Sequence, residues 1–350
     1  MKIEVDNHKL MYHPNRVAEW KKNSDCFPIY VEIGPTNRCN HKCQFCALDW
    51  LQHGGADINS DVLSRSLEDM AAHRVKSVMF AGEGEPLLHK DLGLFVKTAK
   101  NYGMDISMTS NGVLFSKKRA EEILPYLSWI RFSIDAGTAE TYAKIHGARE
   151  EDFKIMIKNL GDAAEIKRKN NYGAAIGVQA LLTNKSLNEI KTLAYIVKTA
   201  GADNLQIKPY SHHPASKNDL SFNFEAAEKI MPELEAFSDK RFEVIYRTQT
   251  IQRLCQEREY NECYGLPFFA LIDAKGNVLP CGLFYNNPEF SYGNINESIF
   301  SDVWKSEKRQ KVIQKIKEKG INDCRTGCRL DAINRYLHRI KNPHPHDNFI

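Results

Sequence analysis

From residue 29 to about residue 210 the chain alternates short apolar runs with longer amphipathic ones, and this alternation leaves few folds open. Candidate strands are Ile29–Ile33, Ser77–Ala81, Asp105–Thr109, Ile130–Ile134, Ala175–Leu181 and Leu205–Lys208, with helical patterns starting near Ser60, Asp91, Ser116, Thr138 and Ser186. The Ser60, Asp91 and Ser116 side chains are of types that accept a hydrogen bond from an unpaired N–H of a first helical turn. Strands joined through helices run parallel, and right-handed crossovers wrap them into an open or closed α/β barrel. A ligand then sits at the C-terminal ends of the strands.

The pattern changes after about residue 215. A helical segment around Glu225–Phe237 leads to a strand-like Phe242–Tyr246, then to a hairpin over Phe268–Pro280 that turns at Lys275-Gly276-Asn277. Helices are expected over Glu307–Lys319 and Leu330–Ile340. The chain thus divides into an extension (1–28), a βα barrel (29–240) and a small α+β unit (241–350). The 48 basic and 44 acidic side chains leave +4, too little to argue for nucleic acid or an anionic membrane as partner. The apolar stretch Leu266–Ile272 falls far below the roughly 18 residues of a membrane helix. No apolar signal segment is visible at the start, so a cytoplasmic, reducing location is expected, where thiols serve as ligands or nucleophiles more often than as disulfides.

There are nine cysteines. Cys39, Cys43 and Cys46 fall in the loop after the first strand, where such a barrel presents its ligand site. A structural zinc site would want a fourth ligand at a usual spacing, and none is supplied; His41 lies inside the loop. Three thiolates on an iron–sulfur cube leave one iron open to a ligand. The spacing, with Phe45 before the last cysteine, resembles the CxxxCxφC signature of the radical S-adenosylmethionine (radical SAM) superfamily. The resemblance implies that the open iron binds SAM and that one electron from the cluster cleaves it to a 5′-deoxyadenosyl radical. It also implies a partial (β/α)6 TIM-like barrel and a reductase such as flavodoxin or ferredoxin as electron donor.

Further cofactor contacts follow from that resemblance. Gly82-Glu83-Gly84-Glu85-Pro86 after the second strand is similar to the family's GGEP loop, which meets the methionine ammonium. Ser133, and secondly Asp135, end strand four where relatives touch the SAM ribose or carboxylate. Gln179 lies on the strand similar to the adenine-contacting one. Ser110 and Asn111 fall in a converging barrel loop, and Lys208 and Tyr210 fall in another, where they are expected to meet substrate.

Cys263, then Gly276 and Cys281, then Cys324 and Cys328 form a second group, whose CxnGx4C start is similar to the SPASM/twitch extension of radical SAM enzymes. The resemblance implies one auxiliary [4Fe–4S] cluster in the shorter twitch form, and so two clusters in all; a zinc ribbon also uses four cysteines. Four thiolates leave no open iron, which suits electron transfer. The arrangement is similar to 2-deoxy-scyllo-inosamine dehydrogenase and related sugar-modifying enzymes, which implies dehydrogenation of a small polyol, sugar or aminocyclitol. Epimerisation would instead need a hydrogen donor, for which Cys255 and Cys26 remain. The 28 residues before the first strand are short for a peptide-recognition domain. A peptide maturase and a non-catalytic iron–sulfur electron carrier are the alternatives.

Overall fold

The computed structural model describes residues 8–349 except 52, 185, 219 and 221–223. In chain order the elements are α1 (Pro14–Asn23), β1 (Tyr30–Ile33), α2 (Ser60–Ala72), β2 (Ser77–Phe80), α3 (Leu92–Asn101) and β3 (Asp105–Ser110). There follow α4 (Lys117–Ile123), β4 (Leu127–Ser133), α5 (Ala139–His146), α6 (Glu150–Asn170), β5 (Ala175–Leu182), α7 (Ile190–Ala200) and β6 (Asn204–Pro209). The last part comprises α8 (Phe224–Glu235), β7 (Glu243–Tyr246), α9 (Thr248–Leu254), β8 (Phe269–Ile272), β9 (Asn277–Leu279), β10 (Gly293–Asn294), α10 (Phe300–Lys305), α11 (Glu307–Lys319) and α12 (Asp331–Lys341).

The ten strands of the described residues share one sheet, ordered β10-β9-β8-β1-β2-β3-β4-β5-β6-β7. The six expected strands are consecutive and parallel. Two strands expected in the C-terminal unit belong to the same parallel array: β7 pairs with β6, and β8 pairs with β1 on the opposite side. The boundary drawn at 240 therefore cuts a continuous sheet, because free N–H and C=O groups on the edges of β6 and β1 are satisfied by the strands that follow it. The turn at Lys275–Asn277 forms as expected: Asp273 Oδ1 accepts from Lys275 N and Asn277 N, each at 2.9 Å, and Gly276 takes φ +83.

Side chains alternate across the strands with a period of two. Val31, Ile33, Ile130, Phe132, Leu205 and Ile207 face the helices and join the main core, fully buried. Their neighbours Glu32, Arg131, Ser133, Gln206 and Lys208 consequently face the inside of the curved sheet, which is polar at these positions and apolar on β8, where Phe269 and Leu271 share the face of Tyr30 and Glu32.

Three helix starts are capped otherwise than expected. Asn59, not Ser60, accepts from Asp61 N and Val62 N, while Ser60 Oγ donates to Asp91 at 2.6 Å. Neither Asp91 nor Ser116 makes a side-chain cap bond. The crossover from β4 to β5 holds two helices, because Gly147 ends α5 in the left-handed region at φ +56. The N-terminal extension is also structured: Val17 and Trp20 of α1 pack with Phe268 and Leu337, tying both ends of the chain together.

Candidate functional site

The loop carrying Cys39, Cys43 and Cys46 leaves the C-terminal end of β1 and is pinned to the end of α5. Lys42 N donates to His146 O at 3.0 Å and Gln44 N to Ile145 O at 2.8 Å, while Cys46 N closes a turn on Cys43 O at 3.1 Å. Phe45 stands edge-on to the His146 ring at 4.9 Å, so this aromatic position braces the loop. Burial pushes the Cys43 thiol well above its ordinary range, with Asp135, Cys39 and Cys46 adding to the effect. Iron would therefore displace protons from these sulfurs on binding.

His146 was not singled out in the sequence. Its Nδ1 is 3.5 Å from Cys43 Sγ, and its Nε2 is 3.3 Å from Asp135 Oδ2, so a cysteine sulfur and the carboxylate two residues past β4 flank one ring. Asp135 Oδ1 accepts from Leu181 N. His41 Nε2 faces Asp152 at 3.6 Å, and burial, then His146, hold its pKa down at about 4 despite that carboxylate. No spacing rule joins residues 43, 135 and 146; only the fold does.

The glycine-rich loop clasps the root of the cysteine loop. A Cβ on Gly84 would stand 2.4 Å from Thr36 O and 2.5 Å from Arg38 O, and Gly82 takes φ +113. Glu85 N donates to Arg38 O at 2.8 Å. The Glu85 carboxylate is buried and accepts from Ser110 Oγ at 2.8 Å, Asn111 N at 2.8 Å and Leu87 N at 3.1 Å. Asn111 Nδ2 in turn donates to Asn40 Oδ1 at 2.7 Å, beside Cys39. The structure thus brings Glu85, Ser110 and Asn111 together as a brace for the cysteine loop. Glu83 turns instead toward the β8–β9 hairpin, where it accepts from Ala274 N at 2.7 Å; burial pushes its carboxyl up to about 7.

Ser133 and Gln179 are register partners on β4 and β5 and share the inner face, as do Leu181 and Lys208 farther along. Tyr210 follows β6, and its Oη is buried without a hydrogen-bond partner among the described residues. Arg131, two residues before Ser133, faces inward for the same reason of period; that parity was the signal by which the sequence could have disclosed it.

The second cysteine group converges. The Cys281 thiol feels Cys328, Cys263 and Cys324, and burial pushes Cys263 up to about 12 and Cys324 up to about 11. Asn334 on α12 donates from Nδ2 to Cys263 Sγ at 3.5 Å and accepts from Gly265 N at 2.7 Å. Asp331, also on α12, accepts from Tyr260 Oη and lies 3.2 to 3.7 Å from Arg335, Arg253 and Arg258. The loop 324–328 is fastened to the barrel: Arg329 donates to Tyr30 Oη at 2.9 Å and pairs with Glu32 of β1, and Arg325 donates to Ser211 O at 3.0 Å. The two remaining thiols stand apart from both groups. Cys26 is buried against Pro267 O, in the cluster that holds Trp20 and Phe268, and Cys255 is exposed at the end of α9. Among the described residues no helix is long and apolar enough to cross a membrane.

A three-thiol loop beside a glycine cradle, and a closed set of four thiols, both suit [4Fe–4S] clusters, the first with an iron left for a ligand. Comparison with known proteins agrees. Residues 33–191 match the radical SAM superfamily, and residues 263–329 match the SPASM iron–sulfur cluster-binding domain. A tungsten-containing aldehyde ferredoxin oxidoreductase cofactor-modifying protein of Pyrococcus furiosus is 24% identical over 305 residues, covering 80% of this chain and 81% of that protein. A PqqA peptide cyclase of Rhodopseudomonas palustris is 23% identical over 295 residues, covering 80% and 74%. The structure of Streptococcus suis SuiB bound to the precursor peptide SuiA superposes with a TM-score of 0.68 at 19% identity, covering 90% of this chain and 75% of that one.

Proposed function

Because this chain joins a radical SAM domain to a SPASM iron–sulfur domain, we propose that it removes two electrons from a peptide substrate held at the mouth of its barrel. Its cofactors are S-adenosylmethionine and [4Fe–4S] clusters. When bound, the three-cysteine cluster and SAM supply a 5′-deoxyadenosyl radical as hydrogen-abstracting agent. Cys39, Cys43 and Cys46 would hold that cluster, and Glu85, Ser110 and Asn111 keep their loop in register. Cys263, Cys281, Cys324 and Cys328 would hold the auxiliary cluster, which the Arg329–Glu32 pair fastens to the inner face of β1.

The convergence of four thiols carries the oxidative reading. A cluster held by that closed set would offer the substrate no iron site and would supply an acceptor for the electron left after hydrogen abstraction, while the proton leaves to a base. The positions of Cys26 and Cys255 favour oxidation over epimerisation, since neither spare thiol lies on the inner face of the sheet. The peptide assignment draws support from the sequence likeness to a PqqA peptide cyclase. The polyol, sugar or aminocyclitol substrate expected from sequence gains no such support.

The test is anaerobic reconstitution, then reaction with dithionite, SAM and a short peptide encoded beside the gene. Expected are about eight irons per chain, 5′-deoxyadenosine that disappears in Cys43→Ala, and a product lighter by two hydrogens. Product of unchanged mass carrying carbon-bound deuterium from D2O would establish epimerisation, and 5′-deoxyadenosine formation driven by a polyol and not by the peptide would overturn the substrate assignment.

A further inference from the structure

The inner wall of the sheet gathers five cations from four separate places. Arg131 lies on β4, Lys208 on β6 and Arg247 just past β7, where its N–H donates to Ile207 O at 3.1 Å. Arg325 and Arg329 come from the loop of the auxiliary cysteines. Arg329 is paired with Glu32. Arg131 stacks over the Trp129 ring at 4.3 Å and Lys208 lies two positions from Gln206; neither cation has a hydrogen-bond acceptor among the described residues. Gln206 is 2% exposed and shares the inner face of β6 with Lys208; among the described residues neither its Oε1 nor Tyr210 Oη, two residues beyond Lys208, has a hydrogen-bond partner. Two inward-facing cations, Arg131 and Lys208, with no carboxylate partner among the described residues and beside orphaned polar atoms, mark a place completed by a ligand.

We propose that the wall formed by Arg131, Lys208 and the auxiliary-cysteine loop binds an anionic group of the substrate, a phosphate or a carboxylate. This rests on the reading that the substrate is held at the barrel mouth. Burial first, then Arg247, Arg131, Arg325 and Arg329, push the Lys208 ammonium down to about 7, and burial and Arg247 lower Arg131 to about 10. A bound anion would reverse both effects, since an opposite charge within a few ångströms favours the charged form. Arg131 offers a planar fork suited to either oxyanion and Lys208 a point charge. Because Arg325 and Arg329 adjoin Cys324 and Cys328, the anion would also anchor the substrate against the auxiliary-cluster loop.

The test uses reconstituted holoenzyme saturated with SAM, titrated calorimetrically with inorganic phosphate and separately with succinate, at ionic strength held constant with chloride. Saturable binding of at least one anion is expected. Lys208→Met and Arg131→Met should each weaken it about 10- to 100-fold, the value of one charge-assisted hydrogen bond. Lys311→Met on exposed α11 should leave it unchanged. Preference for phosphate assigns a phosphorylated substrate and preference for succinate a carboxylate. Lys208→Met should unfold no earlier than the parent, since it removes a charge repelled by four guanidiniums, so it remains informative if Arg131→Met folds poorly. Absence of binding, unaltered affinity in Lys208→Met, or displacement of the anion by SAM would overturn the proposal. 5′-Deoxyadenosine formed by the same preparation reports separately on the enzyme reading: SAM cleavage without anion binding sinks this site alone, and anion binding without SAM cleavage sinks the enzyme reading alone.

Discussion

Replacing Gly147 by alanine tests whether α5 positions the cysteine loop. Gly147 takes φ +56, where a side chain costs about 1–2 kcal/mol. A Cβ there would also stand 2.4 Å from Lys42 O, so that oxygen must retreat by about 0.6 Å to reach even a close 3.0 Å contact. The Lys42 carbonyl precedes Cys43, and the Lys42 N–H is bonded to His146 O at 3.0 Å, so the retreat strains the loop at its anchor. Overpacking of this kind costs about 1–3 kcal/mol, and the two effects together give about 2–5 kcal/mol. Gly103→Ala is the matched control: φ is +80, but nothing lies within 4 Å of its Cβ, leaving the backbone cost alone. Urea unfolding of the cluster-free chains, followed by circular dichroism, measures both, and iron analysis after anaerobic reconstitution measures the consequence for the cluster. Gly147→Ala should be less stable than Gly103→Ala by about 1–3 kcal/mol and hold less iron. Equal stability and full iron in both would refute the claim that the end of α5 sets the position of the loop.

Other parts of the site give equally definite expectations. Glu85→Ala strands three buried donors, Ser110 Oγ, Asn111 N and Leu87 N, and should cost on the order of 3–5 kcal/mol; a loss under about 1 kcal/mol in urea unfolding would contradict the bracing role. Glu83 is raised from 4.5 to about 7, chiefly by burial, so the folded chain keeps a proton that the unfolded chain releases. Stability should therefore be full below about pH 4.5, fall as pH rises to about 7 and stay level above, by on the order of 2 kcal/mol after allowance for remaining solvent contact; Glu83→Gln should flatten that slope in a pH series of unfolding curves. Cys281→Ser should lower reconstituted iron from about eight to about four per chain, whereas Cys255→Ser should leave it unchanged, and equal losses would mean that Cys255 is a ligand.

The barrel was legible because the apolar residues of each strand recur with period two and the helices between carry their own period; those signals are local. Cap identity was less so: Asn59 and Ser60 are both able caps, and the choice fell to Asn59 once Ser60 was drawn to Asp91, a partner 31 residues away. The two cysteine groups were legible because ligands to one cluster come in fixed spacing. What surrounds them was not, since His146, Asn334 and Arg329 each reach the site across a long loop or from the other domain. The sheet edges were misjudged for a related reason. Phe242–Tyr246 and Phe269–Ile272 look like strands of a separate unit until β6 and β1 are seen to need partners.

That last point bears on how two clusters could serve one reaction. β1 pairs with β8, and its Glu32 holds Arg329, the residue after Cys328; the same strand runs out six residues before Cys39. One short strand therefore carries the root of the three-cysteine loop and the tether of the four-cysteine loop. Glu83, bonded to Ala274 on the hairpin, adds a second link between the glycine-rich loop and the C-terminal unit. With both cysteine groups referred to one sheet, their separation is set by a close-packed interior, which deforms little. A hinge between two independent units would let that separation vary, and electron transfer would vary with it; a continuous sheet removes the hinge.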